Sequence, residues 1–287
     1  MGNTFRISTV PPLALAFGTL LGCAAAPLQP EVVPLANHAT PGIAGPESCG
    51  GAMAMAAEKV GPALDPSEID MLVWNIQKGA DPTSLSDLER LANDKHLVLI
   101  QEARLEQRPA DALDNARFWS FAPGYRTANA STGVMTLSET MPLVHCRLAA
   151  REPWLRSPKA TSITEFGLQS TELTLAVVNV HAVNFTLGVA DFSQQLAKIE
   201  AALMAHDGPV ILAGDFNTWR PRRLEILHAL ADRLRLSELT FDVDKRVTPI
   251  GGNIVDRIFV RDLYAVEAST VVVESSDHNP MSVRLSM

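Results

Sequence analysis

The 287-residue chain has no surplus of positive charge, no internal repeat and few aromatic residues. Its formal net charge is −8. That excludes wholesale coating of nucleic acid by a basic surface, while leaving room for a local phosphate site. The only tyrosines, Tyr125 and Tyr264, do not suggest base stacking. No apolar run reaches the roughly 18 residues that cross a bilayer. No Ser or Cys stands in a recognisable nucleophile motif. Beyond residue 70 there is no low-complexity tract. What remains is 47% apolar and 20% charged, the balance of a globular protein with a sizeable core, enough for one large domain or two small ones.

The first residues read differently from the rest. Arg6 is the only charged side chain before Glu31. The run Leu13-Ala14-Leu15-Ala16-Phe17-Gly18-Thr19-Leu20-Leu21 has the length of a signal-peptide apolar region. It ends in Leu20-Leu21-Gly22-Cys23, which resembles a bacterial lipobox, with Cys23 as the acylated first residue. The reading is therefore a lipoprotein leader over 1–22 and a protein of the cell envelope, lipid-anchored or periplasmic. The alternative is an apolar leader on a cytoplasmic protein, which Pro11-Pro12 and the single positive charge favour. Residues 23–68, rich in Pro, Ala and Gly, read as a tether with a short helix over Met53 to Val60. An oxidising compartment would allow Cys49 to pair with Cys146, but sequence alone does not show that they approach each other.

A catalytic domain is expected over 69–287. Apolar, β-branched runs place strands at 71–76, 97–101, 133–137, 143–148, 162–166, 173–180, 209–213, 254–260, 268–273 and 281–285. Helices are expected from Pro82, over 189–205 and over 221–230, two of them with Pro at the first position. The pattern is α/β with more strand than simple alternation supplies.

Six short motifs put Asn, Asp, Glu or His at or just past such strands. They are Trp74-Asn75-Ile76-Gln77, Leu99-Ile100-Gln101-Glu102, Val178-Asn179-Val180-His181, Gly214-Asp215-Phe216-Asn217, Val255-Asp256-Arg257-Ile258-Phe259 and Ser276-Asp277-His278-Asn279-Pro280. A strand buried on both faces has no use for a carboxylate, so these groups belong at strand ends, where they can converge. Gathered there, they can hold Mg²⁺, fix a phosphate and activate water. Taken singly, each motif is an ordinary strand-end turn.

In this order the motifs resemble the endonuclease/exonuclease/phosphatase superfamily, over residues 70 to 287. The resemblance implies a four-layer α/β/β/α sandwich of two packed, mainly antiparallel sheets flanked by helices, with the site at one end. It implies Glu102 as the main metal ligand, with Asn75 and Asp277 beside it. Mg²⁺ is the expected ion, with Mn²⁺ or Ca²⁺ as alternatives. Asp215 would orient or deprotonate the attacking water, and Asn217 would hold it. His278, its second ring nitrogen bonded to Asp256, would be base or electrostatic partner; the sequence leaves open which of Asp215 and His278 takes the proton. His181 would bind a phosphoryl oxygen or protonate the leaving group, with Asn75 and Asn184 as further substrate contacts. Gln77 stands where several members carry Asp or another group, which puts a second metal in doubt.

The expected function is metal-dependent hydrolysis of a phosphoester by directly attacking water. Arg220, Arg222 and Arg223 after Asp215, and Arg104 and Arg108 after Glu102, suggest a basic rim and tilt the substrate towards nucleic acid. The alternative substrates are a phospholipid, as for sphingomyelinases, or an inositol phosphate or other small phosphoester. Gln77 and the short loops admit a further reading, a non-catalytic envelope accessory protein. The chain is expected to be a monomer.

Overall fold

The computed structural model describes residues 42–56, 61–113, 117–152, 158–184, 186, 188–248 and 252–287. The leader, Cys23 and half of the expected tether, residues 23–41 and 57–60, lie outside them. No described helix is long and apolar enough to cross a membrane.

Two mixed sheets face each other. One has strand order β13-β14-β3-β4-β6-β5, formed by β3 (Ile69–Asn75), β4 (Leu97–Arg104), β5 (Phe118–Arg126), β6 (Ser131–Ser138), β13 (Tyr264–Thr270) and β14 (Met281–Ser286). The other follows β1-β7-β8-β9-β10-β12-β11 and takes β2 on β8. Its strands are β1 (Ile43–Ala44), β2 (Ala63–Leu64), β7 (Val144–Arg151), β8 (Pro158–Leu168), β9 (Thr174–His181), β10 (Val210–Asp215), β11 (Ser237–Glu238) and β12 (Asp256–Arg261).

Side-chain alternation explains the layers. Ile69, Met71 and Val73 point between the sheets, with Leu97, Leu99, Val177 and Ile211. Leu72 and Trp74 point the other way and pack with Leu88 of α2 (Ser84–Ala92). On the far face of the second sheet lie α1 (Pro46–Ala54), α3 (Ala190–Leu203) and α4 (Pro221–Arg233). Phe192, Leu196, Ile199 and Leu203 supply the helical stripe of α3. Each such side chain, taken out of water, contributes about 1.5–3 kcal/mol. The four layers are those the resemblance implied.

The arm differs from expectation. From residue 42 it is built into the domain: β1 pairs with β7, and Cys49 and Met53 lie in the core. Its helix runs Pro46–Ala54 rather than from Met53, because Pro46 sits at the start, where a missing N–H costs nothing. A disulfide joins Cys49 to Cys146 of β7, with Cα atoms 5.6 Å apart. Strand β5 carries Pro123 and Gly124, which mask it in the sequence. It tolerates them because it is an edge strand with a register shift beginning at Pro123.

Candidate active site

Strand pairing alone brings the motifs together. Asp215 ends β10, where its register partners are His181 in β9 and Asp256 in β12. Asn75 at the end of β3 is paired with Gln101 in β4. The Ser276–Pro280 loop is stitched to β3: Ser276 Oγ donates to Asn75 O at 2.7 Å, and Trp74 Nε1 donates to His278 O at 2.9 Å. Between the sheets, Gln101 Nε2 donates to Asn179 Oδ1 at 2.7 Å, and Asn179 Nδ2 donates to Met135 O at 2.9 Å. These bonds fix the spacing of the layers beneath the site.

A cavity of about 430 Å³ opens at this end, lined by Asn75, Glu102, His181, Asn184, Asp215, Asn217, Asp277 and His278. Glu102 reaches it because β4 bulges: Ile100 pairs with Met135 and the next pair is Ala103 with Gly133. Glu102 takes φ +55, which turns its carboxylate out of the strand alternation. At Gly214, φ is +136, and a Cβ would lie 2.1 Å from Val180 O. Only glycine lets β10 approach β9 so closely while aiming Asp215 into the cavity.

His181 Nε2 lies 3.7 Å from Glu102 Oε1 and 3.6 Å from Asp215 Oδ2. Asp215 receives hydrogen bonds from Asn75 Nδ2 at 3.2 Å, Asn217 Nδ2 at 3.3 Å and the Asn217 backbone N–H at 2.9 Å. Burial raises its pKa to about 6; nearby Asp256 adds to the rise, and the charge of His278 opposes it. His278 Nδ1 is 2.7 Å from Asp256 Oδ2. Burial alone would lower its pKa, but the Asp256 carboxylate outweighs burial and, with Asp215 and Asp277, lifts it to about 10. His278 is therefore an imidazolium at neutral pH. His181 is held neutral, well below the ordinary histidine range, by burial first and by the positive charge of Lys159 second.

The cavity wall also holds Lys78, Glu152 and Lys159, which no motif contains. Lys78 Nζ is 2.8 Å from Glu102 Oε2. Lys159 Nζ is 2.8 Å from His181 Nε2. Lys159 escaped the sequence because β8 begins at Pro158, four residues before the strand expected at Ser162. Asn184 is held in the wall: its backbone N–H donates to Glu152 Oε1 at 2.7 Å, and its Oδ1 accepts from Trp219 Nε1 at 2.9 Å.

The expected basic rim is not assembled. Arg223 is fully buried and donates to the carbonyls of Val183, Asn184 and Asn217, serving as an internal brace for the loops that carry the site. Arg222 pairs with Glu225, and Arg108 with Asp111. Arg220 is exposed, stacks on Trp219 at 4.3 Å and does not line the cavity, nor does Arg104. The Arg run reads as one charged patch in sequence, but the helical turn sends its members in different directions.

A sequence profile of the endonuclease/exonuclease/phosphatase family matches residues 72–278. The chain belongs to this family. Its members hydrolyse phosphoester bonds, generally with a divalent metal. Solved structures share the fold at low identity. An endonuclease/exonuclease/phosphatase family protein from Leptotrichia buccalis is 14% identical with a TM-score of 0.61, over 76% of this chain and all of that one. The human Nocturnin catalytic domain is 16% identical with a TM-score of 0.56, over 80% of this chain and 98% of that one. Truncated TDP2 from Caenorhabditis elegans is 14% identical with a TM-score of 0.55, over 78% of this chain and all of that one.

The donor set suits a hard divalent ion. Among the described residues no three His, Cys, Asp or Glu side chains form a ready cage. Mg²⁺ does not require one, since it binds through one or two carboxylates and keeps several waters. Glu102, Asp215 and Asp277 bring the carboxylate oxygens such an ion takes to one cavity, with the amide of Asn75 beside them.

Proposed function

We propose that this protein hydrolyses a phosphodiester by direct attack of water, with Asp215 as the base and His278 as a fixed positive donor. The observation that carries this reading is the Asp256–His278 pair beside Asp215: Asp256 is the register partner of Asp215, and His278 and Asp215 line the same cavity. A histidine kept protonated by a buried carboxylate is poor at taking a proton and good at donating a hydrogen bond to a phosphoryl oxygen. Asp215, raised to about 6, is ionised at neutral pH yet basic enough to accept the proton of water. The oxygen of water bonds to phosphorus and its proton passes to Asp215. The P–O bond to the leaving oxygen breaks, that oxygen takes a proton from solvent water and departs as an alcohol, and the proton held by Asp215 neutralises the hydroxide left behind. Asn75 and Asn217 orient the Asp215 carboxylate throughout. Glu102, with Asn75 and Asp277 near it, would hold Mg²⁺, or Mn²⁺ or Ca²⁺ in its place. When bound, the ion supplies positive charge to the phosphoryl oxygens.

A nucleic-acid substrate calls for the arginine rim expected from the sequence. With Arg223 turned inward and Arg222 and Arg108 paired to acids, a compact phosphoester such as a lipid head group or small diester is the better-supported substrate. Plasmid DNA, RNA, sphingomyelin and inositol phosphates, each offered with Mg²⁺ and with EDTA, provide the test. Metal-dependent hydrolysis of a small or lipid diester, lost in Asp215→Asn, is the expected result. Turnover of plasmid DNA alone refutes the substrate assignment. Activity retained in Asp215→Asn refutes the mechanism, and wild-type inactivity on every substrate favours the accessory-protein reading.

We further propose that the protein is a monomer of the cell envelope anchored through lipid on Cys23. The Cys49–Cys146 disulfide supports this, since such bonds persist in oxidising compartments. Mass spectrometry of the mature N-terminus distinguishes an acylated Cys23 from an unprocessed cytoplasmic chain.

A further inference from the structure

Among the described residues two ammonium groups line the cavity, and they differ in what they touch. Lys78 is more than half exposed and lies on the Glu102 carboxylate, which cancels its charge. Lys159 lies on an imidazole nitrogen instead, 2.8 Å away. An ammonium carries three N–H donors and no acceptor, so in this contact Lys159 donates and His181 Nε2 accepts. Two consequences follow. His181 Nε2, the nitrogen nearest Glu102 and Asp215, cannot also donate to a substrate oxygen while it holds Lys159. Lys159 keeps two N–H donors for an anion in the cavity.

We propose that Lys159 is the substrate-binding cation of this site: its ammonium, held in place by His181, donates to a non-bridging oxygen of the phosphoryl group. His181 then acts as a positioning residue, in place of the direct phosphate contact expected from its motif. This rests on the cavity being a phosphoester site. It also explains why a lysine stands at the start of β8 beside the end of β9. Pro158 and Lys159 pair with Arg151 and Ala150, and Thr161 with Val180, so the strand delivers the ammonium to the rim where His181 ends β9.

The test titrates inorganic phosphate into the Mg²⁺-loaded protein by calorimetry and measures hydrolysis of bis(p-nitrophenyl) phosphate in parallel. Lys159→Ala should weaken phosphate binding and raise KM, each roughly ten- to hundredfold, the worth of one charge-assisted hydrogen bond. Its kcat should change far less. Lys159→Arg should stay within a few-fold of wild type in both. Should Lys159→Ala fail to fold, Lys159→Gln carries the same expectation. Asp215→Asn separates the two ideas, because it should lose turnover and keep phosphate affinity. Phosphate affinity and KM unchanged in Lys159→Ala, or a wild-type protein that binds no phosphate, overturns the assignment of Lys159. Turnover retained in Asp215→Asn overturns the hydrolytic mechanism instead and leaves the phosphate titration to judge Lys159 separately.

Discussion

Asp256→Asn removes one oxygen's charge and leaves the side chain's shape, so it isolates what the carboxylate does to His278. In the native protein that carboxylate, with help from Asp215 and Asp277, overcomes burial and lifts the His278 pKa from 6.5 to about 10. At ~1.4 kcal/mol per unit this is a preference for the charged form of order 5 kcal/mol. The folded pKa is raised, so the stability this contributes is complete below pH 6.5 and is lost as pH rises from there to about 10. Without the negative charge, burial dominates, and His278 should titrate near or below its ordinary value and be neutral at pH 8. Proton NMR of the His278 ring in metal-free protein reads this directly. Wild type should show no titration between pH 5 and 8, and Asp256→Asn should show a full one. Turnover at pH 8 should fall by ~10²–10³, the loss typical of one preorganised donor at a phosphoryl centre. A wild-type His278 that titrates below pH 7, or an Asp256→Asn protein with native turnover, refutes the assignment of His278 as a fixed cation.

Turnover should rise with pH through about 6 as Asp215 ionises, and a pH–rate profile flat from 5 to 8 counts against Asp215 as base. Because the folded pKa of Asp215 is raised, stability is lost as pH climbs from 3.8 to about 6; at pH 7.5 Asp215→Asn should therefore melt higher than wild type while being inactive. Gly214→Ala forces a Cβ to within 2.1 Å of Val180 O at φ +136 and should cost more than ~2 kcal/mol or prevent folding, as measured by urea unfolding. Replacing Cys49 and Cys146 by Ser opens a link between residues 97 apart in sequence and should lower stability by ~2–5 kcal/mol, with turnover intact because neither residue lines the cavity.

Much of this site is legible in sequence because its residues sit at the ends of apolar strands. Asn75, His181, Asp215 and Asp256 follow or begin runs such as Val177-Val178 and Ile211-Leu212, and strand pairing does the rest. Side chains that reach the site by other routes are harder to read. Lys159 lies ahead of the strongly apolar part of β8, in a polar stretch with no strand period. Glu152 is buried although it lies between the strands expected at 143–148 and 162–166 and in no motif. The arginines mislead in the opposite way: Arg220, Arg222 and Arg223 are adjacent in sequence, yet only Arg223 has carbonyl groups in reach to satisfy a buried guanidinium. The disulfide was beyond sequence, because it depends on a two-residue strand, β1, docking beside β7.

Four of the eight described non-glycine residues with left-handed backbone fall at the site. Gln77, Lys78, Glu102 and Asn217 all have φ between +49 and +62, and all four line the cavity. Left-handed backbone costs a non-glycine residue ~1–2 kcal/mol, least for Asn, so stability alone would favour glycine at Glu102. Its side chain is kept because a carboxylate is needed there. The idea predicts an inverted order of stability. In an ordinary strand, Gly is less stable than Ala by ~0.5–1 kcal/mol because it loses more freedom on folding. At 102 the Cβ of Ala meets the left-handed penalty and Gly does not. Glu102→Gly should therefore be more stable than Glu102→Ala, by ~0.5–1 kcal/mol in urea unfolding, with both proteins inactive. If Ala proves the more stable, the bulge at Glu102 carries no strain, and its left-handed turn needs another cause.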